Sequence, residues 1–254
     1  MAFDYGKFVQ GGYAVGRTTP RAVIDLDGQA LTTASANGWF VIGFDRDALP
    51  TSKLTVTTPD GSAVDERTIA VGDFDVQRID GLPPQQVTPT DPALLERITA
   101  ENARKVVGFA SQADLEGFRD GFILPVVGAR RSARFGGQRI LNGEPKRPHY
   151  GVDLATPVGA PVRAPAGGLV CFAETGLHYE GGLVLVDHGQ GLVTAYLHLS
   201  KILVATGTYV KQGQLIAETG KEGRATGPHL CWRMKWRGRN LDPSLLVGAG
   251  PFRA

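Results

Sequence analysis

Glycine sets the tightest limit on what this chain can fold into. It supplies 34 of the 254 residues, nearly twice the usual ~7%. With 16 prolines beside it, it leaves little room for long helices and favours short strands closed by tight turns. No glycine period and no Ser- or Gln-rich tract occurs, which excludes collagen-like and low-complexity chains. Hydrophobic residues at 42% and charged residues at 20% suit a packed core inside a polar surface.

The turns divide the chain into recognisable stretches. Ala22-Val23-Ile24-Asp25-Leu26, Trp39-Phe40-Val41-Ile42 and Leu54-Thr55-Val56 are β-rich runs, with Phe8-Val9 a shorter one. Asp27-Gly28, Asn37-Gly38 and Asp60-Gly61 are turn dipeptides set among them. Residues 3–80 are therefore expected to form a small β-sandwich-like accessory domain. Gly81-Leu82-Pro83-Pro84 breaks the chain, and residues 81–121 read as a linker carrying a helix. Asp91 is its candidate cap, and Leu94, Leu95 and Ile98 stand at helical spacing. From Phe122 short strands and glycine turns resume, giving a second, antiparallel β domain over 122–250. Leu241 to Val247 is expected to make no more than a helical turn. The fold class is mostly β.

Charge divides along the same line. Residues 1–124 hold 11 Lys/Arg against 17 Asp/Glu, a net −6, and residues 125–254 hold 16 against 8, a net +8. A basic second half favours an acidic partner: nucleic acid, an anionic membrane surface or a cell-wall polymer. No run of 18 apolar residues is present, so no membrane-spanning helix is expected. Met1 to Gly12 has neither the apolar core nor the cleavage site of a secretory signal. Two cysteines, Cys171 and Cys231, are too few for a disulfide scaffold.

All five histidines lie between 149 and 229. In His149-Tyr150-Gly151-Val152-Asp153 an imidazole and a carboxylate stand four apart, on one face of an extended strand, with Gly151 leaving room between them. His198 follows in Tyr196-Leu197-His198-Leu199-Ser200. His229 and Cys231 are two apart in Gly227-Pro228-His229-Leu230-Cys231-Trp232, again on one strand face. Imidazole, carboxylate and thiolate are all Zn²⁺ ligands, and a catalytic site needs three of them plus an open position. His188, beside the Gly189-Gln190-Gly191 turn, reads as structural, and His178 as a surface loop residue.

The ordered set resembles the lysostaphin/LytM-type zinc metalloendopeptidases, which cut peptide bridges of peptidoglycan. The resemblance covers residues 122–247. It rests on Phe135-Gly136, His149 to Asp153, Gly159-Ala160-Pro161-Val162-Arg163-Ala164, Gly168-Leu169-Val170, Asp187-His188-Gly189, Tyr196 to Ser200, Val210-Lys211-Gln212-Gly213-Gln214 and Thr226-Gly227-Pro228-His229-Leu230. It implies a catalytic domain resembling the duplicated hybrid motif and one Zn²⁺ per chain. His149 and Asp153 match the first two zinc ligands, and His198 and His229 match the two unliganded active-site histidines. The third ligand is normally a histidine two after His229, and here Cys231 stands there. The substrate implied is peptidoglycan, in a cell-envelope, periplasmic or secreted setting, with no nucleic acid and no membrane span. Tyr150, Tyr179 and Tyr196 are candidate substrate contacts, and the N-terminal domain is open to a protein partner.

Cys231 leaves three outcomes: a thiolate ligand, a disulfide with Cys171, or an inert buried side chain. As a ligand it lowers the charge of the zinc set from +1 to 0, which should weaken acidification of a bound water. A degenerate relative that binds cell wall or activates another hydrolase is the alternative function. A lipoyl- or biotinyl-type carrier, with Lys235 of Met234-Lys235 as the modified residue, shares the turn grammar but has no use for four matched active-site residues.

Overall fold

The computed structural model describes residues 1–83 and 87–248. Its elements are strands, apart from one long α-helix and a 3-10 turn at Pro243–Leu245 among the described residues. The first 70 residues build two antiparallel sheets. One is β1 (Ala2–Gly6), β2 (Tyr13–Arg17) and β5 (Trp39–Gly43); the other runs β4 (Gln29–Thr33), β3 (Val23–Leu26), β6 (Thr51–Thr58), β7 (Gly61–Thr68). The β3–β4 hairpin shows why Asp27-Gly28 is there. Leu26 pairs with Gln29, so only two residues turn the chain, and both are left-handed, Asp27 at φ 56° and Gly28 at φ 80°.

A ten-stranded sheet holds the second half. Its main path is β17 (Tyr209–Val210), β14 (Gly168–Leu177), β15 (Gly181–Asp187), β16 (Leu192–Ile202), β19 (His229–Trp236), β12 (Val152–Ala155) and β9 (Arg130–Ala133). Off this path lie β13 (Pro161–Arg163), β18 (Leu215–Thr219) and β20 (Arg239–Leu241). A fourth, small sheet joins the two halves. In it β8 (Val76–Ile79) runs parallel to β10 (Gln138–Leu141), which pairs with β11 (Glu144–Pro145).

The core is shared as well. One cluster of buried side chains runs from Tyr13, Phe40 and Ile42 to Trp232, Trp236 and Leu241. Gly43 has no side chain because Leu241 occupies the space: a Cβ there would lie 2.7 Å from a Leu241 methyl. The Gln190 amide stitches the same seam, donating to Trp39 O and accepting from Val41 N.

The helix α1 (Pro92–Phe109) starts where sequence places it. Asp91 accepts from Ala93 N at 3.0 Å, and Pro92 opens the first turn. Of the three apolar residues at helical spacing, Ile98 is buried, Leu94 half-buried and Leu95 exposed. The buried positions are Ile98, Glu101, Lys105 and Gly108. Glu101 accepts from His178 N and Lys105 pairs with Glu180 at 2.7 Å, so a hydrogen bond and a buried ion pair hold the helix to the β14–β15 hairpin.

Candidate metal centre

Strand β19 sorts chemistry from packing by strict alternation. Leu230, Trp232, Met234 and Trp236 point into the core, each at most 1% exposed. His229, Cys231, Arg233 and Lys235 share the opposite face. Strand β12 runs antiparallel beside it, and Asp153 pairs with Cys231, which sets the carboxylate next to the thiol. His149 lies just before β12. Its peptide is pinned on both sides, His149 N to Gly137 O and Gly136 N to His149 O.

The ligand-type atoms of His149, Asp153 and Cys231 all lie within 4.8 Å of one another, and all three residues are buried. His149 Nε2 and Asp153 Oδ1 are 3.0 Å apart but not aligned for a hydrogen bond, and both are buried without one. Orphaned polar atoms cost ~1–3 kcal/mol each, and lone pairs aimed at a common point are what a metal ion satisfies. A nitrogen, an oxygen and a sulfur donor at this spacing fit Zn²⁺. Burial opposes the Asp153 charge, but His149, His229 and Arg139 outweigh it and hold the carboxyl well below the usual range. The carboxylate and the thiol each have a guanidinium beside them. Arg139 of β10 reaches Asp153 Oδ2 at 3.6 Å, and Arg233 Nε donates to Cys231 Sγ at 3.4 Å.

His198 arrives differently. On β16, Tyr196 pairs with Trp232 and faces the core, so plain alternation would bury His198 on that side. Instead its backbone is left-handed, φ 65°, and the ladder to β18 slips between Leu199 and Lys201. Such a φ is uncommon outside glycine and marks strain held by its surroundings. Gly220 supplies the room: a Cβ there would lie 2.6 Å from both His198 O and Ser200 N, and Gly220 O also accepts from His229 N.

The two rings end 4.6 Å apart. His198 Nδ1–H donates to Glu222 O and His229 Nδ1–H to Gly227 O, which leaves both Nε2 atoms bare in the neutral rings. Burial lowers both imidazoles' affinity for a proton; Arg233 adds to this at His198, and His198 adds to it at His229.

These groups open into a cavity of about 610 Å³, walled in part by Gln77, Arg78, Ile79 and Leu82 from the first half of the chain. Of the three tyrosines, Tyr179 lines the cavity, with Arg224 stacked over its ring at 4.5 Å. Tyr150 lies off the cavity with its ring toward Phe135. The expectation for Tyr196 is corrected: it is fully buried on the core face, where alternation must put it. Its hydroxyl donates to Thr194 Oγ1, which donates to His188 Nε2, and His188 Nδ1–H ends the chain on Gly167 O. His188 is thus structural, and burial brings it down to about 4. Cys171 and Cys231 are both free thiols, which removes the disulfide outcome. Burial pushes the Cys171 thiol up to about 12. Arg78, Arg139, Arg224 and Arg233 went unread in the sequence; only the alternation after Cys231 could have singled out Arg233.

Comparison with known proteins agrees with this geometry. The profile of Peptidase family M23 matches residues 147–243. The peptidoglycan DD-endopeptidase ShyA of Vibrio cholerae is 45% identical over 96 residues, 37% of this chain and 22% of that protein. The DD-carboxypeptidase/endopeptidase Mpg of Neisseria meningitidis is 38% identical over 121 residues, 48% of this chain and 28% of that one. This chain therefore spans less than a third of either relative. The crystal structure of a putative peptidase M23 from Pseudomonas aeruginosa is 28% identical, covers 96% of both chains and superposes with a TM-score of 0.74. With the matched segment running through His149, Asp153, His198, His229 and Cys231, the chain carries a Peptidase family M23 domain.

Proposed function

We propose that this protein is a zinc-dependent endopeptidase that hydrolyses peptide cross-links of peptidoglycan, with residues 122–250 as its catalytic unit. The reading is carried by one observation: the donor atoms of His149, Asp153 and Cys231 converge within 4.8 Å beside two histidines whose Nε2 atoms are bare. His149, Asp153 and Cys231 would hold one zinc ion. When bound, it supplies Lewis-acid polarisation and a water acidified toward neutrality.

The protein's own groups do the rest. The Nε2 atom of one ring, His198 or His229, takes a proton from the attacking water and passes it to the departing amine. The other ring can donate from Nε2 only as imidazolium, because its Nδ1–H is committed to a carbonyl. In that form it would stabilise the oxygen that gains charge. Burial lowers the proton affinity of both rings, which favours the neutral form that a base requires. Arg78, Arg139, Arg224 and Arg233 around the cavity suit an anionic peptide, as does the net +8 of residues 125–254. Tyr179 with Arg224 is the aromatic contact placed for it. Residues 3–80 would position this unit on the cell wall or on a protein partner, in a periplasmic or secreted setting.

Incubating the purified protein with peptidoglycan, with and without chelator, tests the reading. Soluble cross-link cleavage that chelator abolishes and zinc restores is expected. A zinc-free protein that binds wall without cutting it would establish the degenerate-relative alternative, which Cys231 in place of the family's histidine leaves open.

A further inference from the structure

Cys231 and Arg233 stand two apart on one face of β19, and the surroundings are shaped for both. Gly151, two residues before Asp153, faces them: a Cβ there would lie 2.7 Å from Arg233 Cγ and 3.1 Å from Cys231 Sγ. On the other flank the cross-strand partner of Arg233 is Ala195. A glycine and an alanine thus leave a slot for the arginine stem, and the guanidinium Nε reaches Sγ at 3.4 Å. Lys235, next on the same face, stays away over the Phe109 ring.

We infer that Arg233 is a positioning residue matched to sulfur: it gives Cys231 the hydrogen bond that a metal-bound thiolate accepts, and a histidine at 231 could not use it. The inference rests on the reading that His149, Asp153 and Cys231 hold zinc. A coordinated thiolate keeps lone pairs that accept hydrogen bonds. A coordinated imidazole instead keeps one N–H and needs an acceptor such as a carboxylate beyond it. With histidine at 231, that N–H would meet the N–H of Arg233, donor against donor, beside a fixed positive charge. Residues 231 and 233 are therefore one unit, and neither can be exchanged alone. Charge agrees with donor matching. Zinc with one imidazole, a carboxylate and a thiolate sums to zero, and Arg233 adds a positive charge beside the thiolate as Arg139 does beside the carboxylate.

The test uses the full chain as wild type, Arg233→Met, Arg233→Lys, Cys231→His and the double variant Cys231→His/Arg233→Glu. Zinc affinity is read by chelator competition, and sulfur ligation by the thiolate-to-metal charge-transfer absorption of the cobalt-substituted protein. Arg233→Met should lose about 10–100-fold in zinc affinity and shift the cobalt band, with Arg233→Lys in between. Cys231→His should bind zinc worse than wild type, and the double variant should recover at least about tenfold over it without a sulfur band. Unchanged affinity and spectrum in Arg233→Met overturn the inference, as does a Cys231→His protein that binds as well as the double variant. Should Arg233→Met fail to fold, wild-type affinity in Arg233→Lys together with no recovery in the double variant overturns it. A wild type that takes up no zinc, or shows no sulfur band with cobalt, overturns the zinc reading itself.

Discussion

Strands β19 and β16 are hydrogen-bonded neighbours that bring histidine to the same cleft by opposite means. Strand β19 obeys the two-residue period throughout, so His229, Cys231 and Arg233 reach the cleft while three large core side chains interleave with them. Strand β16 obeys the same period up to Leu197 and then breaks it. Its histidine reaches the cleft through a left-handed backbone and a slipped register. The regular strand places groups with no backbone strain. The broken strand places one group that regularity would have buried, and it depends on Gly220 to do so. Asp153, His229 and Cys231 thus stand on paired strands and His149 on the loop before β12, and of these site residues with His198 only His198 has a left-handed backbone.

The largest expected effect lies on the regular strands. Asp153→Ala removes a proposed ligand whose strand position pairs with Cys231, so zinc and cross-link cleavage should both fall to background; zinc retained at one per chain would refute its role. His198→Ala should leave zinc bound and lower kcat by about 10²–10⁴-fold. If zinc is lost instead, the division of labour between the two strands is wrong.

A third histidine sharpens the contrast, because His188 has both ring nitrogens bonded and none to spare. Its folded value of about 4 lies below the ordinary ~6.5 of the unfolded chain. The unfolded state therefore takes up the proton first, and stability contributed by the neutral ring is lost as pH falls from about 6.5 through 4. The loss amounts to about 3 kcal/mol at most. Chemical denaturation from pH 7 to 4 should show this extra slope in wild type and not in His188→Gln; parallel curves would refute it. The smallest effect is at Gly220. Gly220→Ala should cost about 1–3 kcal/mol by overpacking against the His198 and Ser200 backbone, with kcat falling more than KM rises. An unchanged kcat would show that the kink in β16 does not set the ring.

Much of this was legible in the residues. The turn glycines, the Asp91 cap and the alternation of His229 to Trp236 are local signals, and local signals survive in a single sequence. The His149–Asp153 spacing belongs with them. The position of His198 was legible only as part of a motif, because a left-handed residue leaves no mark on hydrophobic period. Tyr196, named as a candidate contact beside His198, faces the core instead, because its parity on β16 is that of Thr194 and the left-handed turn comes only at His198. The β8 wall and Arg139 depend on a parallel pairing between residues some 60 apart, which no local pattern encodes. The docking of α1 is equally non-local: Lys105 pairs with Glu180 and Glu101 accepts from His178 N, each some 75 residues away.

Zinc K-edge X-ray absorption of the purified protein reads the ligand set of the centre itself. One sulfur scatterer at about 2.3 Å with nitrogen and oxygen neighbours at about 2.0–2.2 Å is expected, with loss of the sulfur shell in Cys231→Ser. A first shell of nitrogen and oxygen alone, in protein that holds one zinc per chain, would contradict that ligand set.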